Sequence, residues 1–286
     1  KNKNVIPVTI KGLLPGEPKR PEWMKVKANL GSEYIELKNL INEKKLNTVC
    51  EEASCPNIYE CWSMGTATFM IMGDTCTRAC GFCDVNTGKP SDLDELEPIR
   101  VAESVKTMKL THAVVTSVNR DDLDDGGSKF FAKTIQEIKL MNPSTSVEVL
   151  IPDFKGDRRA IDNIINESPE VLNHNLETVP RLQREIRTAA SYGRSLSLLQ
   201  YAKEVNFSGK TKTGLIVGMG EDFDEVISVL KDVSQIDIDI VTIGQYLRPT
   251  SKHRPIHRYV TQDEFNEYKL IGEKFGIPHI ESGPLV

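Results

Sequence analysis

All six cysteines of this 286-residue chain fall within 34 consecutive positions. They form two groups of three, spaced C-x4-C-x5-C and C-x3-C-x2-C: Cys50, Cys55 and Cys61, followed by Cys76, Cys80 and Cys83. Thiols that serve packing are spread over a core, so this crowding indicates that the sulfur atoms bind a partner. Three roles are possible for these thiols: disulfide formation, binding of a single metal ion, and binding of an iron–sulfur cluster.

Disulfides and zinc are the two simpler interpretations. Disulfides are typical of small domains in oxidising compartments, whereas this chain is long enough for a full core and shows no apolar signal segment. A structural zinc site uses four closed ligands, usually from C-x2-C pairs, and only Cys80 and Cys83 form such a pair. Disulfides are therefore disfavoured, and zinc stays the second interpretation.

Iron–sulfur clusters agree better with groups of three. A four-iron cluster normally takes four cysteines. Three cysteines leave one iron for a different ligand, much as an open position marks a catalytic metal. The two groups therefore indicate two clusters, and the C-x3-C-x2-C group is the more specific signal.

Residues 75–84 (TCTRACGFCD), which we call the cysteine loop, resemble the cluster loop of radical S-adenosylmethionine (SAM) enzymes. Together with residues 50–62 (CEEASCPNIYECW), they resemble the lipoyl synthase family of those enzymes. The likeness covers nearly the whole chain and includes three further stretches: 118–122 (VNRDD), 173–179 (NHNLETV) and 244–250 (GQYLRPT).

The resemblance implies two 4Fe–4S clusters and SAM as cofactors. The SAM-binding cluster would be held by Cys76, Cys80 and Cys83, and the auxiliary cluster by Cys50, Cys55 and Cys61. The implied reaction inserts two sulfur atoms at carbons six and eight of a protein-bound octanoyl group, with the auxiliary cluster as sulfur donor. The implied partners are an octanoylated lipoyl-carrier protein or domain and an external electron donor such as ferredoxin or flavodoxin.

Two other functions remain as alternatives. One is a different radical SAM enzyme with an auxiliary cluster, for instance one that modifies a peptide. The other is an iron–sulfur electron carrier or a zinc-stapled interaction protein, although carriers normally complete their clusters with four cysteines.

Polar residues near the ends of predicted strands are candidate SAM or substrate contacts. Asn119 and Arg120 follow the second strand, and the resemblance implies that they belong to the SAM or substrate pocket. A capped turn before an acidic run is an equally weighted interpretation. Asn175 and Glu177 follow the fourth strand, and Glu177 could accept hydrogen bonds from a ribose or an ammonium group. His174 alternates with its neighbours and is interpreted as structural.

Four further candidates come from the resemblance. Gly218 and Glu221 belong to a glycine-containing segment after the fifth strand that is similar to the adenine-side segment of radical SAM enzymes. Phe82 is the aromatic residue before the last cysteine. Arg187 is a candidate for the SAM carboxylate, with a solvated helix arginine as the commoner case.

Short apolar runs rich in β-branched residues alternate with helical stretches from Thr66 onward. The predicted strands are Thr68–Met72, His112–Val118, Ser146–Ile151, Val171–His174, Thr213–Val217 and Ile240–Tyr246. The predicted helices lie near 32–46, 99–109, 129–141, 157–167, 180–189, 195–205, 223–234 and 261–275. Six β-α units indicate a parallel sheet, and the resemblance favours a partial (β/α)6 TIM-type barrel over an open doubly wound sheet.

We expect an N-terminal extension over residues 1–66, which begins as an extended proline-containing arm and carries the auxiliary-cluster cysteines. The radical SAM partial barrel is expected over 67–286. In the family, an arginine-serine-serine-tyrosine segment follows whose serine binds the second cluster, and this sequence stops at Val286, before that segment.

The composition excludes some classes of function. A net charge of −5 argues against a nucleic-acid binder. No apolar run approaches the roughly 18 residues that a membrane helix needs. We expect a monomer in the cytoplasm, or in an organelle if a leader was removed. The basic segment, residues 248–258, is predicted either as a solvated loop or as a dock for an acidic carrier domain.

Overall fold

The computed structural model describes residues 18–24, 38–39, 41, 43–44, 46–52 and 57–286. The predicted arm over 1–30 lies mostly outside the described residues, apart from a short 3-10 helix at Glu22–Met24. Most of the predicted helix over 32–46 lies outside them too. So do Cys55 and the side chain of Cys50.

An eight-stranded sheet forms the centre of the molecule, in the order β1-β2-β5-β6-β7-β8-β9-β10. Its strands are β1 Asn47–Thr48, β2 Thr66–Ile71, β5 His112–Ser117, β6 Ser146–Leu150, β7 Val171–Asn173, β8 Lys210–Val217, β9 Ile240–Gln245 and β10 His279–Ser282. Seven strands run parallel, and β1 pairs antiparallel with the edge of β2. A second, two-stranded ladder joins β3 Thr75–Cys76 to β4 Asn86–Thr87.

Helices lie between the strands along the chain. They are α1 Val49–Glu52, α2 Ile58–Ser63, α3 Glu97–Thr107, α4 Ser128–Met141, α5 Arg158–Ile165, α6 Gln183–Ile186, α7 Tyr192–Glu204, α8 Phe223–Gln235 and α9 Gln262–Lys274. Short 3-10 helices occur at Phe154–Gly156 and Pro180–Leu182. Each of the six predicted strands is followed by a helix, so the predicted partial barrel of six β-α units is confirmed.

The seventh parallel strand, β10, was not predicted. It follows α9 and pairs with β9, with Ile280 opposite Val241. Of its four residues only Ile280 is buried, so the segment shows no apolar run that would mark a strand.

The helices pack one apolar face against the sheet. In α8, the buried residues Val226, Val229, Leu230 and Val233 recur at helical spacing. Asp222 and Glu225 begin this helix with a reciprocal capping box, in which each side chain accepts a backbone N–H of the other. Within the described residues, no helix is both long enough and apolar enough to cross a bilayer.

The two faces of the strands differ in role. Val115, Val149 and Leu172 lie opposite one another on three neighbouring strands and are fully buried. The residues next to them in sequence, such as Thr116 and Leu150, point to the other face and line a cavity. One face of the strands thus packs in the apolar core, and the residues on the other face line the cavity.

Candidate active site at the carboxyl ends of the strands

A cavity of about 510 Å³ lies where the parallel strands end. The cysteines of the C-x3-C-x2-C group all line it: Cys76, Cys80 and Cys83. The carboxyl ends of parallel strands are where β-α barrels place their active sites. The cysteine loop enters this position because β3, which contains Cys76, follows β2 directly.

Cys76 is buried and receives two backbone hydrogen bonds on its sulfur. The N–H groups of Arg78 and Asn119 lie 3.4 and 3.3 Å from its Sγ atom. Hydrogen bonds to cysteine sulfur stabilise the thiolate form and tune the potential of iron–sulfur clusters. This donor arrangement therefore suits a thiolate that ligates iron.

Cys80 and Cys83 are half-buried on the same wall of the cavity, with Phe82 between them. Burial raises the pKa of Cys80 to about 12, and burial likewise raises the pKa of Cys83 against a hydrogen bond from the backbone of Val85. Thiols in this setting stay protonated until a metal replaces the protons. Among the described residues, no three His, Cys, Asp or Glu side chains converge closely enough for a single metal ion. Thiolate sulfur is the usual ligand of iron–sulfur clusters, so the three thiols that line one cavity fit such a cluster.

The cysteine loop is fixed to the barrel on one side by its own residues. The N–H and the hydroxyl of Thr77 both donate to the carbonyl of Asn119, at 3.0 and 2.9 Å. The N–H of Gly81 donates to the carbonyl of Ile186 at 2.8 Å. The ends of β5 and α6 therefore hold the loop at two points.

The basic segment, residues 248–258, covers the loop from the other side. The Nε2 atom of His253 lies 2.9 Å from the carbonyl of Cys83, and since a carbonyl only accepts, Nε2 carries the proton. The N–H of Arg254 donates to the carbonyl of Gly81 at 2.9 Å. The segment is thus part of the wall that keeps the loop in place.

All three arginines of the basic segment have partners within the protein. Arg248 donates to carbonyls of its own loop, Arg254 pairs with Glu185, and Arg258 pairs with Glu264 at 2.8 Å. Lys252 and His257 of this segment are exposed. The carrier-dock interpretation stays a prediction, and it now depends on fewer cations than the sequence indicated.

Asn119 and Arg120 are adjacent but face different surroundings. Asn119 lines the cavity and bonds to Cys76. Arg120 is buried outside the lining, where its guanidinium donates to Asp122 at 2.9 Å and to the carbonyl of Met72 at 3.3 Å. The arrangement of Arg120 matches the capped-turn interpretation, whereas Asn119 stays a candidate SAM or substrate contact.

Asn175, Glu177 and Arg187 lie together at the cavity. Desolvation raises the pKa of Glu177, while the charge of Arg187 and a hydrogen bond from Asn175 oppose the rise. Glu177 has a left-handed backbone (φ 64°), and its N–H donates to the carbonyl of Gly214 at 2.9 Å. Arg187 is buried and donates to the carbonyl of Leu176 at 3.1 Å, so it is not the solvated helix arginine that is the commoner case.

Gly218 and Glu221 form a tight turn after β8, outside the cavity lining. The Glu221 carboxylate accepts the N–H groups of Gly218 and Met219. Gly218 has φ +100°, and a Cβ there would lie 2.1 Å from Nε2 of Gln245 and 2.7 Å from the carbonyl of Arg258. The glycine is required by this packing, and its predicted adenine contact stays a prediction.

His174 is fully enclosed between elements. Its Nδ1 atom donates to the carbonyl of Ile151 and its Nε2 atom accepts from the hydroxyl of Ser195, both at 2.8 Å. Burial lowers its pKa to about 4. Both ring nitrogens are used, in agreement with the structural interpretation.

A described residue next to the first cysteine group, Val49, borders the same cavity. Cys61 lies half-buried in α2, and Val49, next to the start of that group, lines the cavity together with Val286. The side-chain amide of Asn57 donates to the carbonyl of Leu285 at 2.5 Å. The segment around the first group and the last residues of the chain thus meet at one edge of the cavity.

Comparison with known proteins agrees with this fold. A model of the radical SAM superfamily matches residues 70–233, and a model of the N-terminal domain of lipoyl synthase matches residues 12–55. The FeFe-hydrogenase maturase HydG has a similar fold, with a TM-score of 0.59 at 13% identity over 87% of this chain and 63% of that one. Methylornithine synthase (PylB) gives 0.56 at 14% over 76% and 71%. The fold and the cysteine loop thus define a radical SAM protein, which implies an iron–sulfur cluster and SAM.

Sequence relatives are much closer. The mitochondrial lipoyl synthase of Nematostella vectensis is 52% identical over 95% of this chain and 93% of its own length. The lipoyl synthases of Christiangramia forsetii and Rubrobacter xylanophilus are 51% and 54% identical, over 100% and 95% of this chain and 96% and 84% of their own lengths. The chain belongs to the lipoyl synthase family.

Proposed function

We propose that this protein is a lipoyl synthase, which inserts two sulfur atoms at carbons six and eight of an octanoyl group bound to a lipoyl-carrier protein or domain. The observation that carries the proposal is the wall of three thiols, Cys76, Cys80 and Cys83, in a cavity at the strand ends. When bound there, a 4Fe–4S cluster and SAM supply the radical that removes hydrogen from unactivated C–H bonds.

The chain's own residues orient SAM and keep water away. Arg187 presents a buried positive charge at the cavity and suits the SAM carboxylate, because charge-assisted hydrogen bonds are the strong ones. Asn175 and Glu177 lie beside it and suit the ammonium or ribose groups. We assign Phe82 and Asn119 to the same pocket. Gly218 and Glu221 are assigned to its support on the adenine side.

The auxiliary cluster is assigned to Cys50, Cys55 and Cys61, with sulfur donation as its role. The position of Val49 on the cavity wall and of Cys61 in the adjoining helix supports this assignment, since a sulfur donor must reach the acyl chain. The apolar cavity residues Met70, Leu150 and Ile216 suit such a chain.

The remaining proposals concern partners and place. An external one-electron donor such as ferredoxin or flavodoxin would reduce the cluster, and an octanoylated carrier would be the substrate. We assign the protein to the cytoplasm, or to an organelle as in the mitochondrial relative.

The test is anaerobic reconstitution followed by two assays. We expect about eight iron atoms per chain, deoxyadenosine formed from SAM and reductant, and lipoyl product when an octanoylated carrier is added. Deoxyadenosine without any sulfur insertion would favour a different radical SAM reaction. One tightly bound zinc ion and little iron would contradict the proposal altogether.

A further inference from the structure

A network of four charged side chains lies behind the cysteine loop: Arg78, Asp121, Asp153 and Arg194. Arg78 is the residue midway between Cys76 and Cys80. Its side chain is 6% exposed and that of Asp153 is wholly buried. Two positive and two negative charges balance, as buried charges must.

Arg78 connects the loop to two strand ends at once. Its guanidinium donates to both carboxylate oxygens of Asp121, with Nε–Oδ2 at 2.6 Å and Nη2–Oδ1 at 2.7 Å. The same Nη2 atom lies 2.8 Å from Oδ1 of Asp153. Asp121 follows β5 and Asp153 follows β6, so one side chain ties the loop to two neighbouring strands. The N–H of Asp121 also donates to the hydroxyl of Thr77 at 3.1 Å.

Asp153 is held in turn from behind. Its Oδ2 atom accepts from Nε and Nη2 of Arg194, at 2.8 and 2.7 Å, in the first turn of α7. Its Oδ1 atom accepts the N–H of Lys155 at 3.1 Å. These bonds outweigh the cost of burial and hold the pKa of Asp153 at about 2, and the pKa of Arg78 is raised against its own burial by the two aspartates.

The backbone after Asp153 adopts an unusual conformation. Phe154, Lys155 and Gly156 follow one another with φ values of 42°, 53° and 87°, in the left-handed region that side chains other than glycine rarely adopt. Such strain persists only where the surroundings determine it, and it is concentrated at functional sites. Here the turn places the Asp153 carboxylate under the cysteine loop.

We propose that the arginine–aspartate network (Arg78, Asp121, Asp153 and Arg194) is a positioning device that fixes the spacing of the Cys76 and Cys80 thiols against the ends of β5 and β6. The inference deepens the proposed function and depends on it, because it takes these cysteines to be cluster ligands. Buried ion pairs are weak sources of stability compared with apolar packing. A pair as buried as Arg78 and Asp153, with Arg78 in the middle of the ligand loop, is therefore better explained by the geometry that it imposes.

The test uses Arg78→Lys, which keeps the charge but loses the planar bidentate geometry. Asp153→Asn is the second variant, with nearly the same shape and no charge. Glu148→Gln is the matched control, since it disturbs an ion pair between β6 and β8 that lies outside the cavity lining. All are made in the full chain carrying Cys61→Ala, so that the spectrum reports only the cluster in the cysteine loop.

Three quantities are measured: the electron paramagnetic resonance spectrum of the reduced cluster with and without SAM, iron release to a ferrous chelator, and the thermal unfolding midpoint. We expect Arg78→Lys and Asp153→Asn to broaden the spectrum, weaken its response to SAM and speed iron release about 10- to 100-fold, as loss of an outer-shell partner does. Glu148→Gln should lower the midpoint and leave the spectrum and iron release unchanged.

Two outcomes would overturn the inference. One is a parent-like spectrum and iron release in both network variants. The other is the same spectral change in Glu148→Gln at a matched loss of stability, which would show a general effect of unfolding. Failure of the proposed function looks different and is measured in the chain with all six cysteines: either no SAM-responsive cluster signal, or deoxyadenosine formed without lipoyl product.

Discussion

The two ends of the parallel strands both bury ion pairs, but they build them from different parts of the chain. On the amino-terminal side of the cavity-lining residues, the carboxylate of Glu148 accepts from Lys212 at 2.8 Å, from Asn173 at 3.1 Å and from His112 at 3.3 Å. These four side chains, which we call the strand-base cluster, come from four neighbouring strands, β5 to β8. At the carboxyl ends, the arginine–aspartate network comes from loops and from the first turn of a helix.

The difference separates stability from chemistry. Strand residues are fixed by the sheet register, and the hydrogen bonds of the strand-base cluster join four neighbouring strands. Loop residues take positions that the sheet does not dictate, and at the carboxyl ends they surround thiols and a cavity. Barrel enzymes divide these roles in the same way, with conservation of fold at one end and of activity at the other.

The largest effect is expected at the carboxyl ends. Replacing Cys76, Cys80 or Cys83 with Ala should abolish deoxyadenosine formation, because each removes a cluster ligand. Replacing Cys50, Cys55 or Cys61 should spare deoxyadenosine and abolish sulfur insertion. Both products are quantified by chromatography after anaerobic reconstitution. Equal loss of deoxyadenosine formation in folded variants of both groups would contradict the separate roles assigned to the two cysteine groups.

The cysteines and the strands were predictable from sequence for different reasons. Cys76, Cys80 and Cys83 lie within eight consecutive residues. Their spacing therefore indicates a cluster-binding loop even when the position of that loop in the fold is unknown. The strands β5 and β6 are apolar enough to be seen directly. Strand β10 was missed because it has one buried residue, and its pairing with β9 decides its structure.

The support of the site was not predictable. Arg78 binds Asp121 and Asp153, which are distant from it in sequence. The residues around each aspartate show no sequence pattern that would predict this pairing. The arginines of the basic segment were interpreted as a possible docking surface because their hydrogen-bonding partners could not be predicted from the sequence either. Charge partners across a barrel follow from tertiary structure, which propensity and spacing do not contain.

At the amino ends, Glu148→Gln should destabilise the fold while leaving the chemistry intact. The change leaves Lys212 partly buried without its counter-charge, and breaking a buried pair costs about 3–5 kcal/mol. The free energy of unfolding is measured by denaturant titration, with deoxyadenosine formation per folded chain as the second readout. A specific loss of activity in the folded variant would mean that the two ends are coupled.

The same carboxylate predicts how stability depends on pH. Burial alone would raise the pKa of Glu148, but hydrogen bonds from His112 and the charge and hydrogen bond of Lys212 outweigh it and hold the pKa at about 2, against an ordinary 4.5. A group with a lowered folded pKa stabilises the protein above its unfolded pKa and loses that contribution as pH falls through the folded value. We expect up to about 3 kcal/mol to be lost between pH 4.5 and 2.

Glu148→Gln is the control for this titration as well. Its unfolding free energy should fall less steeply over the same acidic range, because the variant has no carboxylate to protonate at that position. Parallel curves for parent and variant would show that other carboxylates control the acid transition.

The smallest effect is expected from Lys155, which sharpens the comparison within the carboxyl end itself. Its Nζ atom donates to the carbonyl of Asp121 at 3.0 Å and lies 3.8 Å from the carboxylate that Arg78 also binds. The Lys155 side chain is 60% exposed, whereas that of Arg78 is 6% exposed. Water screens an exposed pair and side-chain entropy opposes it, so such pairs are worth about 0–1 kcal/mol.

Lys155→Gln should therefore change the unfolding free energy by less than about 1 kcal/mol and leave deoxyadenosine formation and the cluster spectrum as in the parent. Arg78→Lys, measured beside it, should change the spectrum strongly. If the two variants behaved alike, positive charge near Asp121 would matter more than the buried bidentate geometry of Arg78. That outcome would contradict the positioning role proposed for Arg78.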